Sequence, residues 1–170
     1  MSKKLLILVG HPGFVAKAGF NYQVFLNFVN GVDAAGGEYM VADLFESEKV
    51  MSANFIKSFD GLVFIFPNWC EMPPAVVVSW IQRHMSQDIG YTRNENGEKI
   101  CNFEGLKALV LVSQGTPDVK DYIVGSMKEA LGYCGISTEF LFFPGVGSTI
   151  NFEEAMTSAT SIGYSFTSKL

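Results

Sequence analysis

The chain has 170 residues, a length that predicts a single domain over residues 1–170. Hydrophobic residues make up 48% and aromatic residues 14% of it, which is enough for a large core and excludes intrinsic disorder for most of the chain. Its 12 Lys and Arg against 17 Asp and Glu give a net charge of −5, so no basic stripe exists for binding nucleic acid through its phosphates.

Short apolar runs alternate with helical patterns from the start of the chain. The run Lys4–Gly10 is predicted to be a strand covered on both faces. It is too short to span a bilayer, and we expect a first strand there, not an export signal or a segment of an integral membrane protein. Apolar side chains then recur at helical spacing from Phe20 to Val32, and this helix is predicted to end at Gly36.

The rest of the chain continues the alternation. The predicted strands are Glu38–Ala42, Gly61–Phe66, Leu106–Ser113 and Ser137–Phe143, and the predicted helices are Ser52–Ser58 with Ser52 as its cap, Ala75–Met85, Lys120–Tyr133 and Asn151–Thr167. The polar stretch Gly90–Gly105 is predicted to be an excursion outside the core. Strands that alternate with helices form parallel sheets through right-handed crossovers, so we predict an α/β three-layer sandwich with a five-stranded parallel sheet ordered 2-1-3-4-5.

Cysteines and histidines are few and scattered. Cys70, Cys101 and Cys134 form no CxxC pair, and His11 and His84 are isolated. We therefore expect no metal site and no disulfide framework, and a reducing, cytoplasmic location.

Function is expected at one edge of the predicted sheet. In open sheets of this order, ligands bind beyond the carboxyl ends of the strands, where the strand order reverses. The loops at that point are His11–Asn21, Pro67–Pro74 and Ser113–Tyr122. All three are rich in turn formers, amides, hydroxyls and aromatic side chains.

The first of these loops leads into a helix N-terminus, where free N–H groups and the helix dipole favour a phosphate. Gly13 and Gly19 permit close backbone approach, and Asn21 is expected to cap the helix or donate to a ligand. Neither GxxxxGK[ST] nor GxGxxG is present, so ATP or GTP hydrolysis has no support and nicotinamide binding of the Rossmann type is disfavoured. The alternative for His11 is a turn histidine bonded to a local carbonyl.

The other two loops carry groups suited to a flat ring. Trp69 lies on a proline-stiffened loop and either forms one wall of a slot or only covers the end of the sheet. Cys70 is disfavoured as a nucleophile because no histidine stands at a partner spacing. The segment Ser113–Thr116 supplies hydroxyl, amide and backbone donors, and the alternative is ordinary turn chemistry with Asp118 or Asp121 capping the next helix.

Five segments together resemble one family. They are Leu5–Pro12, Gly19–Tyr22, Phe59–Pro67, Pro74–Arg83 and Gly105–Gly115. Their order and spacing are similar to those of the flavodoxin-like NAD(P)H dehydrogenase (quinone) family, which includes potassium-efflux ancillary oxidoreductases and modulator-of-drug-activity proteins.

The resemblance implies a flavodoxin-like homodimer that binds FMN or FAD and reduces quinones with NAD(P)H by two-electron hydride transfer. By position, His11, Gly19, Phe20 and Asn21 match the phosphate loop, and Pro67, Asn68, Trp69 and Cys70 match the loop beside the flavin ring. Ser113, Gln114, Gly115 and Thr116 match the loop at the polar edge of the ring, and Tyr122 is the candidate catalytic hydrogen-bond donor.

Three departures from the family pattern keep other functions open. Gly19 replaces a serine that would hold phosphate, and Gln114 replaces a threonine. At the ring-facing aromatic position stands Cys70, or Trp69 if the alignment shifts by one residue. The second hypothesis, based on Gly19, Cys70 and Glu71, is a non-catalytic regulatory or interaction protein with a degenerate cofactor site. A one-electron flavodoxin carrier is a third, less favoured because the loop from His11 to Asn21 contains no Ser or Thr.

Overall fold

The computed structural model describes residues 2–14, 16–46, 50–116 and 122–170. Within them, seven strands and five helices follow one another in the order β1 (Lys4–Val9), α1 (Phe20–Ala34), β2 (Glu38–Asp43), α2 (Ala53–Lys57), β3 (Gly61–Pro67), α3 (Ala75–His84), β4 (Tyr91–Arg93), β5 (Lys99–Cys101), β6 (Lys107–Ser113), α4 (Tyr122–Tyr133), β7 (Ser137–Phe143) and α5 (Phe152–Ser168).

Five of the strands form one parallel sheet in the order β2-β1-β3-β6-β7. Strands β4 and β5 form a separate antiparallel hairpin, so β6 and β7 are the fourth and fifth strands of the parallel sheet. The predicted sandwich and its strand order 2-1-3-4-5 are therefore confirmed. The central strands β1, β3 and β6 are buried on both faces, which is why each is a continuous apolar run in the sequence.

Alternating side chains of the central strands enter two cores. Leu6, Leu8 and Phe64 face α2, α3 and α4, whereas Leu5, Ile7 and Val63 face α1 and α5. The sheet therefore has a helical layer on each side, as expected for strands with a period of two.

Helices α1 and α5 approach each other closely at two glycines. A Cβ atom at Gly31 would lie 2.7 Å from the backbone nitrogen of Tyr164 and closer still to the carbonyl oxygen of Thr160. On the opposite helix, a Cβ atom at Gly163 would overlap the carbonyl group of Phe28. Only hydrogen atoms at these positions let the two helices pack at this distance.

The helix termini differ from the predicted bounds by one or two residues. Ser52 caps α2 as predicted, its Oγ accepting from the N–H of Phe55 at 3.2 Å. Asn151 lies outside α5 and caps it through Oδ1, which accepts from the N–H of Glu154 at 3.3 Å. Lys120, the predicted start of the fourth long helix, and the predicted caps Asp118 and Asp121 lie outside the described residues.

The segment between α3 and β6 is more ordered than predicted. Its hairpin β4–β5 folds back on the end of α4, where Lys99 Nζ lies 3.8 Å from the ring centroid of Tyr133 and donates to the Tyr133 carbonyl at 2.8 Å. Phe103 is only 2% exposed and belongs to the core beside α3 and α4. The prediction that Gly90–Gly105 lies outside the core is therefore wrong at this residue. None of the described helices is both long and apolar enough to cross a membrane.

Candidate functional site

Hydrogen bonds join the three predicted loops at the carboxyl edge of the sheet. Ser113, the last residue of β6, donates from Oγ to Asn21 Oδ1 on α1 at 3.0 Å. The carbonyl of Ser113 accepts from the N–H of Asn68, just after β3, at 2.7 Å. Asn21 and Ser113 are both buried. The sequence prediction that these loops meet at one edge is thus matched by direct contacts between them.

His11 lies half-buried at the start of the first loop. Its Nδ1 accepts a hydrogen bond from the N–H of Gly13 at 3.0 Å. Burial lowers the pKa of His11, and the carboxylate of Asp43 opposes that effect only in part. The imidazole is therefore neutral near pH 7, with its proton on Nε2. The local partner is an N–H group and not a carbonyl, so the alternative prediction for this histidine is wrong in that detail.

Helix α1 begins without a side-chain cap. Its cap residue Gly19 has φ 86°, a conformation that L side chains rarely adopt, and glycine has no side chain that could accept from the first turn. The expectation that Asn21 caps the helix is wrong, because Asn21 lies inside α1 and bonds Ser113 instead. N–H groups in the first turn of a helix lack intrahelical partners, so this terminus retains donors for an anion.

A row of amide groups runs between the second and third loops. Asn68 Nδ2 donates to Gln114 Oε1 at 3.3 Å, and Gln114 Nε2 donates to the carbonyl oxygen of Thr116 at 3.1 Å. Gln114 is 3% exposed. Asn68 Oδ1 is also buried, and no residue in the described part of the chain hydrogen-bonds to it. Buried acceptors without a donor are rare in proteins, so this atom indicates a place for a ligand's N–H or O–H group.

Beyond Asn68, the chain forms a two-residue reverse turn. The backbone groups of Trp69 and Met72 exchange hydrogen bonds at 3.1 and 3.0 Å. Between them Cys70 and Glu71 have φ of 52° and 65°, and positive φ at both central residues is the signature of a type I′ turn. Asn and Gly favour this turn, so Cys and Glu hold it under strain. Trp69 is 46% and Met72 61% exposed.

The remaining candidate, Tyr122, is the first residue of α4 and is 68% exposed. Its backbone carbonyl accepts from Ser126 Oγ at 3.3 Å within the same helix. No group of three or more His, Cys, Asp or Glu side chains placed to bind a metal occurs within the ranges that the structure describes.

His84, the last residue of α3, has a structural role. It stacks on Trp80 with ring centroids 4.4 Å apart and is fully buried. Its Nε2 accepts from the N–H of Met51 at 2.9 Å, so Nδ1 carries the proton and donates to the Trp80 carbonyl at 2.7 Å. Burial lowers the pKa of His84, with a smaller contribution of the same sign from Arg83, while the bond to Trp80 acts in the opposite direction.

The chain matches one known protein family over most of its length. The model of a family described as having a flavodoxin-like fold matches residues 3–161. The chain belongs to this flavodoxin-like family. The family resemblance predicted from the sequence is therefore confirmed. No curated protein sequence matches the chain at a significant level.

Solved structures with the same flavodoxin-like fold cover nearly the whole chain. Smu.1420 from Streptococcus mutans UA159 has a TM-score of 0.80 at 18% identity, over 95% of this chain and 99% of that one. An NAD(P)H:quinone oxidoreductase from Methanothermobacter marburgensis has a TM-score of 0.77 at 23% identity, over 98% and 100%. An FMN-dependent NADH-azoreductase from Bacillus anthracis, solved in complex with FMN, has a TM-score of 0.77 at 14% identity, over 98% of both chains.

The flavodoxin-like edge contains contacts that the sequence patterns do not reveal. The loop after β7 closes over the third loop, because the N–H of Val146 donates to the Gln114 carbonyl at 2.9 Å and the N–H of Gly145 donates to the Thr116 carbonyl at 3.2 Å. Met72 is likewise absent from the predicted site, although it faces Trp69 across the turn. In the sequence, the turn-forming pair Pro144-Gly145 after the fifth predicted strand is the signal for the loop after β7. No motif indicates that Met72 faces Trp69.

Proposed function

We propose that this protein is an FMN-dependent NAD(P)H oxidoreductase that reduces quinones or related electron acceptors by two-electron hydride transfer. One observation carries the proposal: hydrogen bonds join three loops around buried amide groups. Among these groups, the buried acceptor Asn68 Oδ1 has no donor in the described part of the chain. A planar ring with both donor and acceptor atoms on its edge matches that set of groups. FAD is the other candidate cofactor.

The first loop fits the phosphate end of such a cofactor. The uncapped N-terminus of α1 offers N–H donors, and Gly19 allows close approach of a ligand to the backbone. Neutral His11 has its Nε2–H available, since Nδ1 already accepts from Gly13. Lys17 supplies a positive charge on the same loop. These four features replace the hydroxyl that is missing at Gly19.

The second and third loops fit the ring end. When bound, FMN supplies a ring that takes a hydride from NAD(P)H and passes two electrons to the acceptor. Pro67 and Trp69 would flank this ring, and Cys70 lies at the tip of the turn. Ser113, Gln114, Gly115 and Thr116 border its polar edge. Tyr122 is the group that donates a hydrogen bond where negative charge develops on the acceptor or on the ring edge.

We also propose that the protein is a homodimer in the cytoplasm. Large apolar side chains are exposed near this edge, among them Trp69, Met72 and Phe152. Exposed apolar surface of this kind commonly marks a site that a substrate or a second subunit covers. Sedimentation at micromolar concentration checks this proposal, and a monomer under all conditions would contradict it.

One observation favours a second candidate function. The cap residues of α1 and α3 make no side-chain hydrogen bond to the first turn, whereas those of α2 and α5 do, and at α1 the capping position holds Gly19. A hydroxyl bonded to a phosphate is worth roughly tenfold to a hundredfold in affinity. A non-catalytic regulatory protein with a degenerate cofactor site would show this loss without any replacement for it.

Flavin binding and turnover separate the two candidates. The purified protein is examined for flavin absorbance, titrated with FMN and FAD by fluorescence quenching, and assayed with NADH and NADPH against menadione. We expect saturable binding and quinone reduction, both strongly reduced in Trp69→Ala. A matched control is Tyr164→Ala, which removes an exposed aromatic ring on α5. Absence of flavin binding would refute both the cofactor and the enzyme, and binding without turnover would favour the regulatory protein.

A further inference from the structure

The amide row between the second and third loops has a fixed polarity. At one end stands the carbonyl oxygen of Thr116, which can only accept a hydrogen bond. The Gln114 amide turns its NH2 group toward Thr116, where it donates to the carbonyl oxygen at 3.1 Å and to Oγ1 at 3.4 Å. Its Oε1 then faces in the opposite direction, toward Asn68.

The orientation of Gln114 determines the orientation of Asn68. Because Gln114 Oε1 can only accept, Asn68 presents Nδ2 to it at 3.3 Å. Asn68 Oδ1 is thereby turned away from Gln114, and the atom is buried with no partner in the described ranges. The Asn68 backbone N–H is also committed, to the Ser113 carbonyl at 2.7 Å. A single backbone carbonyl thus fixes an acceptor, and not a donor, at the far end of the row.

We infer that Asn68 Oδ1 accepts a hydrogen bond from a ring N–H of the bound cofactor, and that this contact selects rings with a donor at that position. The inference rests on the proposed function. An oxidised flavin ring carries one N–H, on the imide nitrogen N3 between its two pyrimidine carbonyls. That N–H is the only ring donor of the oxidised cofactor, so it is the group that satisfies Asn68 Oδ1.

Reversing the row to suit a different ligand is unfavourable. If Asn68 turned its NH2 group toward the ligand, its Oδ1 would face Gln114 Oε1, and two acceptors would oppose each other. If Gln114 also turned, its Oε1 would face the Thr116 carbonyl. The reversal of Asn68 thus opposes the oxygens of two amide side chains, one of them the buried Gln114, which costs more than a typical hydrogen bond contributes. The site therefore discriminates against a ring in which the N–H is blocked.

The test is a thermodynamic cycle that removes the Asn68 acceptor in the protein and the N3–H donor in the ligand, separately and together. The dissociation constants of FMN and of FMN methylated on N3 are measured by fluorescence quenching for the wild-type protein and for Asn68→Leu. We expect the wild type to bind FMN about 10- to 100-fold more tightly than the methylated flavin, because the methyl group leaves Oδ1 without its donor. In Asn68→Leu, which is similar in size but has no acceptor, this preference should largely disappear. Asn68→Ala gives the same comparison if the leucine variant does not fold.

Two controls isolate the contact. Asn27→Leu removes another partly buried asparagine, whose Nδ2 donates to the Gln23 carbonyl at 2.9 Å on α1, and should discriminate like the wild type. Urea unfolding without flavin should show a lower stability for Asn68→Leu, because Gln114 Oε1 loses the hydrogen bond from Asn68. A purely structural role for Asn68 would weaken the binding of both flavins equally and leave the preference for FMN over the methylated flavin unchanged.

The possible failures are distinguishable. If the wild type binds neither flavin, the proposed function is refuted. If it binds both flavins equally, or if Asn68→Leu retains the wild-type preference, the inference about Asn68 is refuted and the proposed function stands.

Discussion

The packing of α1 on α5 predicts that alanine at Gly31 destabilises the protein, although alanine is the better helix former. The new Cβ atom would lie 2.7 Å from the Tyr164 nitrogen and nearer still to the Thr160 carbonyl oxygen, whereas ordinary Cβ contacts begin at 3.4 Å. Both neighbouring atoms belong to the backbone of a helix, so no side chain can rotate to make room. The two helices must move apart.

The expected magnitude is the difference between two opposing effects. Gly→Ala in an exposed helix interior stabilises by about 0.5–1 kcal/mol. Overpacking a well-packed contact costs about 1–3 kcal/mol, and a rigid backbone neighbour places Gly31 at or beyond the upper end of that range. We expect a net loss of about 2 kcal/mol, which lowers the melting temperature by roughly 4–8 °C for a protein of this size.

Urea unfolding and thermal melting of five variants test this reasoning. Gly31→Ala and Gly163→Ala should each destabilise, and their double variant should lose less than the sum because the first substitution already separates the helices. Gly125→Ala and Gly132→Ala are the matched controls, since a Cβ atom at either position on α4 meets nothing within 4 Å. Their stability should equal or exceed that of the wild type. A Gly31→Ala protein as stable as these controls would refute the packing argument.

Three further outcomes are expected. The pKa of His84 in the folded state lies below its ordinary value of 6.5, so the unfolded chain binds the proton first. The stability contributed by its neutral form is complete above pH 6.5 and declines below it, by up to about 1.4 kcal/mol per pH unit. In urea unfolding, the free energy of His84→Gln should therefore depend less on pH than that of the wild type. Replacing Cys70 with Asn and Glu71 with Gly should stabilise the cofactor-free protein by about 1–2 kcal/mol in urea unfolding, because these residues suit positive φ; destabilisation would contradict the assignment of strain. Ser113→Ala leaves Asn21 Oδ1 buried without its donor and should cost about 1–3 kcal/mol of unfolding free energy, and an unchanged urea midpoint would show that the bond contributes nothing.

The fold was predictable from the sequence because its central strands are apolar throughout. A run such as Gly61–Phe66 has no polar face, and only a strand covered on both sides tolerates that pattern. Turn formers and helical spacing then place the helices between the strands to within one or two residues. The burial of Phe103 is not predictable in this way, because Phe103 lies in a polar segment and a single buried side chain gives no hydrophobic periodicity.

The site was predictable as a set of loops but not as a set of contacts. The edge rule for parallel sheets brings Asn21, Asn68 and Ser113 to one place. Which side chain bonds which depends on tertiary geometry, so the sequence predicts that Asn21 caps a helix or donates to a ligand, whereas its Oδ1 accepts from Ser113. Positive φ at Cys70 and Glu71 contradicts their local preferences and could not be inferred from residue type.

The partnership of α1 with α5 also has a consequence for the nascent chain. The buried face of α1, which includes Phe28 and Val32, is covered by a helix that begins only at Phe152. Ribosomes add about 5–20 residues per second, so the first helix waits on the order of ten seconds for its neighbour. During synthesis α1 therefore presents an apolar face that α5 does not yet cover, and we expect chaperones to associate with this face before α5 emerges from the ribosome.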